Sequence, residues 1–329
     1  MATINGFIRS YGVAVRRAER AQQREARELT KRFKEQQKFE EIQNAHQAVA
    51  DWENYIRTIQ SVHKNCTDPI DWKKIKDSKK PSEPKPEFKN ELIAKNELES
   101  FKPSIFDKIF GSKEEKIRRL KEQVEKAKEK DAKENDLKYN EYKDEFKDWE
   151  ELQRISEGIE KRQAESYKDA LQYFNPFSDI GELGTQIGFS IDTNHIDIDL
   201  YVNSLEIIPD YELKQTSTGK LSKKAMPKTR FNELYQDHIC SAALRLAREV
   251  FAYLPIDYAR INAMSKIVNS KNGQLEDQPI LSVIFNPKTI NSLNLDKIDP
   301  SDSMQNFLHN MDFNKTKGFG IVSKVEFET

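Results

Sequence analysis

Apolar residues in the first half of the chain recur three and four positions apart. Ile42, Ala45, Val49, Trp52, Ile56 and Ile59 keep that spacing, the seam of a helix covered along one side. It predicts one long helix over 13–64, with Arg16 to Lys38 richer in charge and glutamine. A second long helix is predicted over 113–174. Ile117, Leu120, Val124 and Ala127 begin its seam, which weakens at Asp131 and resumes through Tyr142, Phe146, Trp149, Leu152, Ile155 and Ile159. At 1.5 Å per residue each helix is on the order of 75–90 Å long. Between them, Pro69 and its Asn/Asp/Thr neighbours stop the first helix. Residues 79–86, with Pro81, Pro84 and Pro86, read as a polar, extended, mobile linker. Phe101 to Gly111 carries three phenylalanines and two isoleucines, which need a surface to bury against, so it reads as a docked cap. The chain reversal predicts an antiparallel helical hairpin. The alternative is that each helix pairs with another protomer.

After Asn175 the period changes from helical to alternating. Ile187, Phe189 and Ile191, then Ile196, Ile198, Leu200 and Val202, then Leu205, Ile207, Tyr211 and Leu213 predict three half-buried strands in an antiparallel meander. Leu234, Ile239, Ala243, Leu246, Ala247, Val250 and Phe251 mark an amphipathic helix over 231–254. Strands are expected over 258–268 and 279–285 around Asn272-Gly273. A short helix capped at Asp299 and ending near Met311, and a last strand over 318–327, follow. The fold class is therefore α+β: a coiled-coil hairpin over 1–174, then a compact domain over 175–329 with a mainly antiparallel sheet and a long packing helix.

Composition agrees with exposed helices. Charged residues are 33% and hydrophobic residues 36% of 329, too polar for a single large core. The net charge of -1 removes any global basic signal, so an electrostatic argument has to be local. Cys66 and Cys240 make neither a disulfide framework nor a zinc pattern, and reduced thiols fit a cytoplasmic protein; Cys240 reads as a small core residue. No run of 18 apolar residues predicts a membrane span, and the N-terminus lacks a secretory signal.

Candidate chemistry lies first in the expected meander. Asp197 and Asp199 share one strand face, and Asp210, Glu212 and Lys214 share another, each opposite the apolar residues. Acids beside a lysine could hold Mg²⁺ and stabilise charge on a phosphate. Residues 150–268 resemble the core of PD-(D/E)xK nucleases. That resemblance would place Asp199 (or Asp197), Glu212 and Lys214 at a metal-dependent nuclease site. The plainer reading is a solvated polar face, and no cofactor is expected without the nuclease. Second, the run from Lys214 to Arg230 has no acid before Glu233 and leads into a helix N-terminus. It is read as a loop whose Lys220, Lys223, Lys224, Lys228 and Arg230 contact an anion or a nucleic-acid backbone. Third, Arg16, Arg17, Arg20 and Arg24 lie on a basic amphipathic start that suits a protein partner, nucleic acid or an anionic membrane surface, in that order. The histidines are scattered, and His238 reads as a hydrogen-bonded, partly buried residue.

The stretches His63-Lys-Asn-Cys-Thr-Asp-Pro-Ile-Asp-Trp72, Thr218-Gly-Lys-Leu-Ser222, Leu234-Tyr-Gln-Asp-His-Ile-Cys240 and Ile298-Asp-Pro-Ser-Asp-Ser-Met304 resemble an uncharacterised group of bacterial coiled-coil proteins that occur beside anti-phage defence genes. The resemblance implies a bacterial, cytoplasmic setting and no particular chemistry. The expectation is an interaction or sensor component of a multi-protein system. It would dock a protein partner through the arm, which could also form homo-oligomers, and take an anionic ligand or nucleic acid on the α+β domain.

Overall fold

The computed structural model describes residues 42–103, 113–177, 184–202, 205–268 and 273–327. In chain order it begins with helices α1 (42–60), α2 (Trp72–Lys76), α3 (Lys89–Ser100), α4 (Lys113–Glu160) and α5 (Ala164–Phe174). Strands β1 (Gly184–Ile191), β2 (His195–Val202), β3 (Tyr211–Gln215) and β4 (Leu221–Ala225) lead to helix α6 (Lys228–Tyr253). Strands β5 (Tyr258–Val268) and β6 (Leu275–Phe285), helices α7 (Pro287–Ser292) and α8 (Pro300–Ser303), and strands β7 (Leu308–Met311), β8 (Phe313–Asn314) and β9 (Gly318–Phe319) complete it. The protein is α+β. Among the described residues no helix is long and apolar enough to cross a membrane.

The described residues form two compact units. A sheet unit gathers 42–68, 184–252 and 256–327; a helical unit gathers 69–175 with Tyr253–Pro255.

In the sheet unit five strands run in the order β1-β2-β5-β6-β7. The pair β2–β5 is parallel and the other three pairs are antiparallel, so the sheet is mixed. A parallel pair needs a long crossover, and the 26-residue α6 lies on it. β2 alternates as its sequence predicts, with Ile196, Ile198 and Leu200 fully buried. Leu234, Ile239, Cys240, Ala243, Leu246 and Val250 of α6 are fully buried too, which makes this the core. The helix is three residues longer at its start than the apolar stripe suggests, because Pro227 precedes it and the Phe231 N–H closes on the Pro227 carbonyl at 3.0 Å.

The expected three-strand meander is corrected here. Only β1 and β2 form it. Residues 205–207 are a single 3-10 turn, and β3 pairs with β4 in a separate two-stranded hairpin. The reason is competition for edges. The second edge of β2 is taken by β5, while the Thr216–Gly219 turn, with Gly219 at φ +84°, closes β3 on β4 locally. The last strand is also shorter than expected, since 320–327 are irregular, and the helix expected to end near Met311 stops at Ser303, with Leu308–Met311 taken into the sheet as β7.

Helix α1 belongs to the sheet unit. Its Ala45, Ile56 and Ile59 are buried, and the Ile59 carbonyl meets His238 Nδ1 on α6 at 3.0 Å. The Trp52 indole N–H donates to the Tyr211 carbonyl at 3.2 Å and the Tyr55 hydroxyl to the Ile207 carbonyl at 2.8 Å. The seam thus faces α6 and the β3–β4 hairpin. Residues 13–41 of the predicted helix lie outside the described residues, as does most of the expected cap at 101–111.

In the helical unit the chain from Trp72 to Ser100 runs antiparallel to α4. Ser78 meets Trp149, Glu87 meets Asn135 and Asn90 meets Asp131. The proline-spaced segment is therefore docked, which corrects its reading as a mobile linker. Lys80 lies 4.7 Å from the centre of the Phe146 ring, and Tyr139, Tyr142, Phe146 and Trp149 stack in a row at about 6 Å. Prolines cost little to order along an aromatic row because their φ is already fixed. The seam break at Asp131 has a purpose in packing: its buried carboxylate accepts the Asn90 and Glu91 backbone N–H groups at 3.1 and 2.8 Å, capping the first turn of α3. The second predicted helix is two helices. It breaks at Arg162, with φ +52°, and Gly158 lets α5 approach so closely that an added Cβ would lie 1.8 Å from Ser166 Oγ.

Candidate polar network, basic hairpin and cleft of the sheet unit

The face of β2 opposite the core carries Asp197 and Asp199, as the alternation predicts. Register sets Arg260 beside Asp197, Asn262 beside Asp199, and Ser282 beside Asn262. Arg260 grips Asp197 with two bonds of 2.8 and 2.7 Å. The Asn262 amide donates to both carboxylates at 2.8 Å, and its oxygen accepts from Ser282 Oγ at 2.7 Å. Lys324, from the C-terminal segment, donates to both oxygens of Asp199 at 2.6 and 2.8 Å. The same segment is tied down by Val325, whose N–H donates to Ser282 Oγ and whose carbonyl accepts from Arg260, both at 2.9 Å. The Phe327 ring covers Arg260 and His195.

Burial alone would raise the Asp197 pKa. Arg260 and Asn262 outweigh it and hold the carboxyl below its ordinary value. The bond to Asp197 in turn raises Arg260. Two half-buried acids, one arginine, one lysine and an amide thus make a charge-balanced lattice in which all four carboxylate oxygens are engaged.

The residues of the nuclease reading fall on different sheets. Asp199 is committed to Lys324 and Asn262. Glu212 and Lys214 lie on β3 and pair with each other at 2.9 Å. Among the described residues no group of three His, Cys, Asp or Glu side chains is arranged to ligate a metal. Arg260, Asn262 and Lys324 are the site residues that sequence reasoning missed. Arg260 and Asn262 alternate on a strand correctly predicted, which was the available signal; nothing local points from Lys324 to Asp199, 125 positions away.

The basic run is a hairpin followed by a helix start, which corrects its reading as a loop. Lys220 stands at the turn, and Lys223 lies 3.7 Å from the centre of the Tyr211 ring. Lys224 faces Glu212 across the register. Folding the run therefore adds an acid that the linear reading left outside it. Lys228 and Arg230 open α6, whose first turn contains no acid. Among the described residues Lys220, Lys224, Lys228 and Arg230 make no ion pair. Arg16, Arg17, Arg20 and Arg24 lie outside the described residues.

A cleft of about 850 Å³ opens at the carboxyl ends of β2 and β5, lined by Tyr201, Asn232, Tyr235, Lys266, Lys317 and Phe319, among others. In open, mostly parallel α/β sheets ligands bind outside the carboxyl ends of the strands; here β2–β5 is the one parallel pair of the five-stranded sheet. Burial pushes the Tyr235 hydroxyl up to about 12, so it is a neutral donor at ordinary pH. The two cysteines supply no nucleophile. Burial raises the Cys66 thiol to about 11 and Cys240 well above its ordinary value. His63 and His238 are buried and kept neutral by desolvation. Ser241 Oγ accepts the His63 N–H at 3.0 Å and donates to its Nδ1 at 2.7 Å, which leaves Nε2 to donate to the Leu295 carbonyl.

No protein-family model, curated protein or solved structure matches the chain.

Proposed function

We propose that this is an interaction protein that takes an anionic ligand, nucleic acid in the first instance, on its sheet unit. One observation carries the reading: the exposed cations Lys220, Lys224, Lys228 and Arg230 make no ion pair among the described residues. Some exposed cations elsewhere do, as in Lys76–Glu160, Lys138–Glu87 and Lys315–Glu233, and others, such as Lys73 and Lys147, do not; what sets these four apart is that they fall in one run with no acid between Lys214 and Glu233. Unpaired cations beside a helix start give the stronger local potential. A protein partner fits the helical unit, where Leu92, Ile93 and Leu137 are exposed. The setting of a bacterial anti-phage system rests on the sequence resemblance. The balanced Asp197–Asp199 lattice serves as a structural strap for the C-terminal segment.

The test is binding of short single- and double-stranded nucleic acids across a salt series. Each phosphate contact should contribute roughly one unit of log–log slope. Changing Lys220, Lys223 and Lys224 to Ala should flatten the slope and weaken binding about equally for every sequence. Binding that ignores both salt and the triple change would defeat the proposal.

A further inference from the structure

The two edges of the five-stranded sheet are built differently. At one edge β7 has four residues, and Asn310 on it donates to the Ser323 carbonyl of the C-terminal segment at 2.9 Å. Short, flanked edges resist pairing with other chains. At the other edge β1 has eight residues, Gly-Thr-Gln-Ile-Gly-Phe-Ser-Ile, with no charge and no proline. Protein edges ordinarily carry such residues as protection, and this one does not.

The backbone of β1 can be assigned bond by bond. The Asp192 N–H donates to the His195 carbonyl at 2.9 Å, which makes these two a hydrogen-bonded pair. Antiparallel pairs alternate, so Ser190–Asp197 and Gly188–Asp199 are hydrogen-bonded as well. Ile187, Phe189 and Ile191 must then turn their N–H and C=O groups away from β2. Among the described residues these groups meet no partner. The same three side chains stand opposite Leu200, Ile198 and Ile196, which are fully buried. They therefore continue the apolar layer of the sheet to its border, where Phe189 is left 43% exposed.

We propose that β1 is the interface of a homodimer. Two copies pair β1 with β1, antiparallel, about a two-fold axis through Gly188, and join their sheets into one. A second copy is favoured over another partner by charge. A two-fold pairing sets a strand against itself, so any charge in it would face a like charge, and β1 has none. The axis at Gly188 follows from geometry. Gly188 falls in a pair without hydrogen bonds between the copies, where chains lie closest and side chains crowd. Ile187 then stands opposite the partner's Phe189, and the outward N–H and C=O groups of both residues are matched.

Sedimentation velocity of the full chain over about 1–100 μM tests the state directly. A dimer is expected, and Phe189→Lys should raise its dissociation midpoint by at least about tenfold, because it sets an ammonium in the apolar layer. A second variant guards against misfolding. With Cys66 changed to Ser, Gly188→Cys should form a disulfide-linked dimer on mild oxidation, since directly opposed residues in such a pair lie within disulfide reach. A chain that stays monomeric throughout overturns the proposal. So does a dimer that tolerates Phe189→Lys and leaves Gly188→Cys uncrosslinked.

Discussion

Helices α1 and α4 carry the same three–four spacing of apolar residues and end in different company. On α1 the seam closes a core: Ala45, Ile56 and Ile59 are buried against the interior of the sheet unit. On α4 most of the seam is half covered. Tyr142, Phe146 and Trp149 form an aromatic row under an extended segment, and full burial is reached at Ile155 and Ile159, with Val124 farther up. The spacing reports which side of a helix is covered. It does not report by what, because a sheet, a second helix and a proline-rich strand all demand the same stripe.

The sharpest way to break this comparison is to charge both seams. Ile56→Asp buries a carboxylate in the sheet unit and should cost on the order of 3–5 kcal/mol. Amide exchange in β5 and β6 should then lose its protection. The same change at half-buried Ile117 on α4 should cost about 1 kcal/mol and leave those amides protected. If Ile56→Asp spares β5 and β6, the core role of α1 is wrong.

A somewhat smaller effect is expected at the corner of the helical unit. Gly158→Ala drives a methyl into Ser166, whose own Cβ is also too close, so backbone has to move. The expected loss is about 1–3 kcal/mol, seen as a lower melting temperature of the helical unit with the sheet amides unchanged. An unaltered melt would mean that α5 has room to retreat.

Acid should separate the units more gently. His63 and His238 are held neutral below their reference value of 6.5 by burial. Such groups stabilise fully above that value and lose the contribution as pH falls through their folded pKa. In the helical unit burial opposes ionisation of Asp131, but the bonds from Glu91 and Asn90 outweigh it and hold its pKa below 3.8. Its contribution persists until the pH drops under that figure. Asp237, raised by burial, works in the opposite sense on the acid side and does not change the order. Amide exchange followed from about pH 7 to about pH 3 should show the sheet unit loosening first. Simultaneous loosening would remove the histidines as the cause.

Much of the sheet unit was legible from local pattern. The stripe of Leu234, Ile239 and Ala243 located α6, the alternation of Ile196, Ile198 and Leu200 located β2, and Gly273, at φ +69°, lies between β5 and β6. Asp299 caps α8 as read, accepting from the Ser301 and Asp302 N–H groups. The candidate site was legible only as faces. Asp197 and Asp199 do share one, and Glu212 and Lys214 another, but β3 chose β4 and not β2.

What the sequence determined by itself is what one helix or one strand settles alone: period, buried side, caps and turns. These depend on side chains within a few residues of one another. The tertiary structure decided which edge β5 takes, what lies against α1, and that Lys324 neutralises Asp199. Each is the result of a competition. A strand edge accepts one neighbour, an apolar stripe accepts any surface of the right width, and a half-buried carboxylate takes whichever cation the packed chain brings within reach.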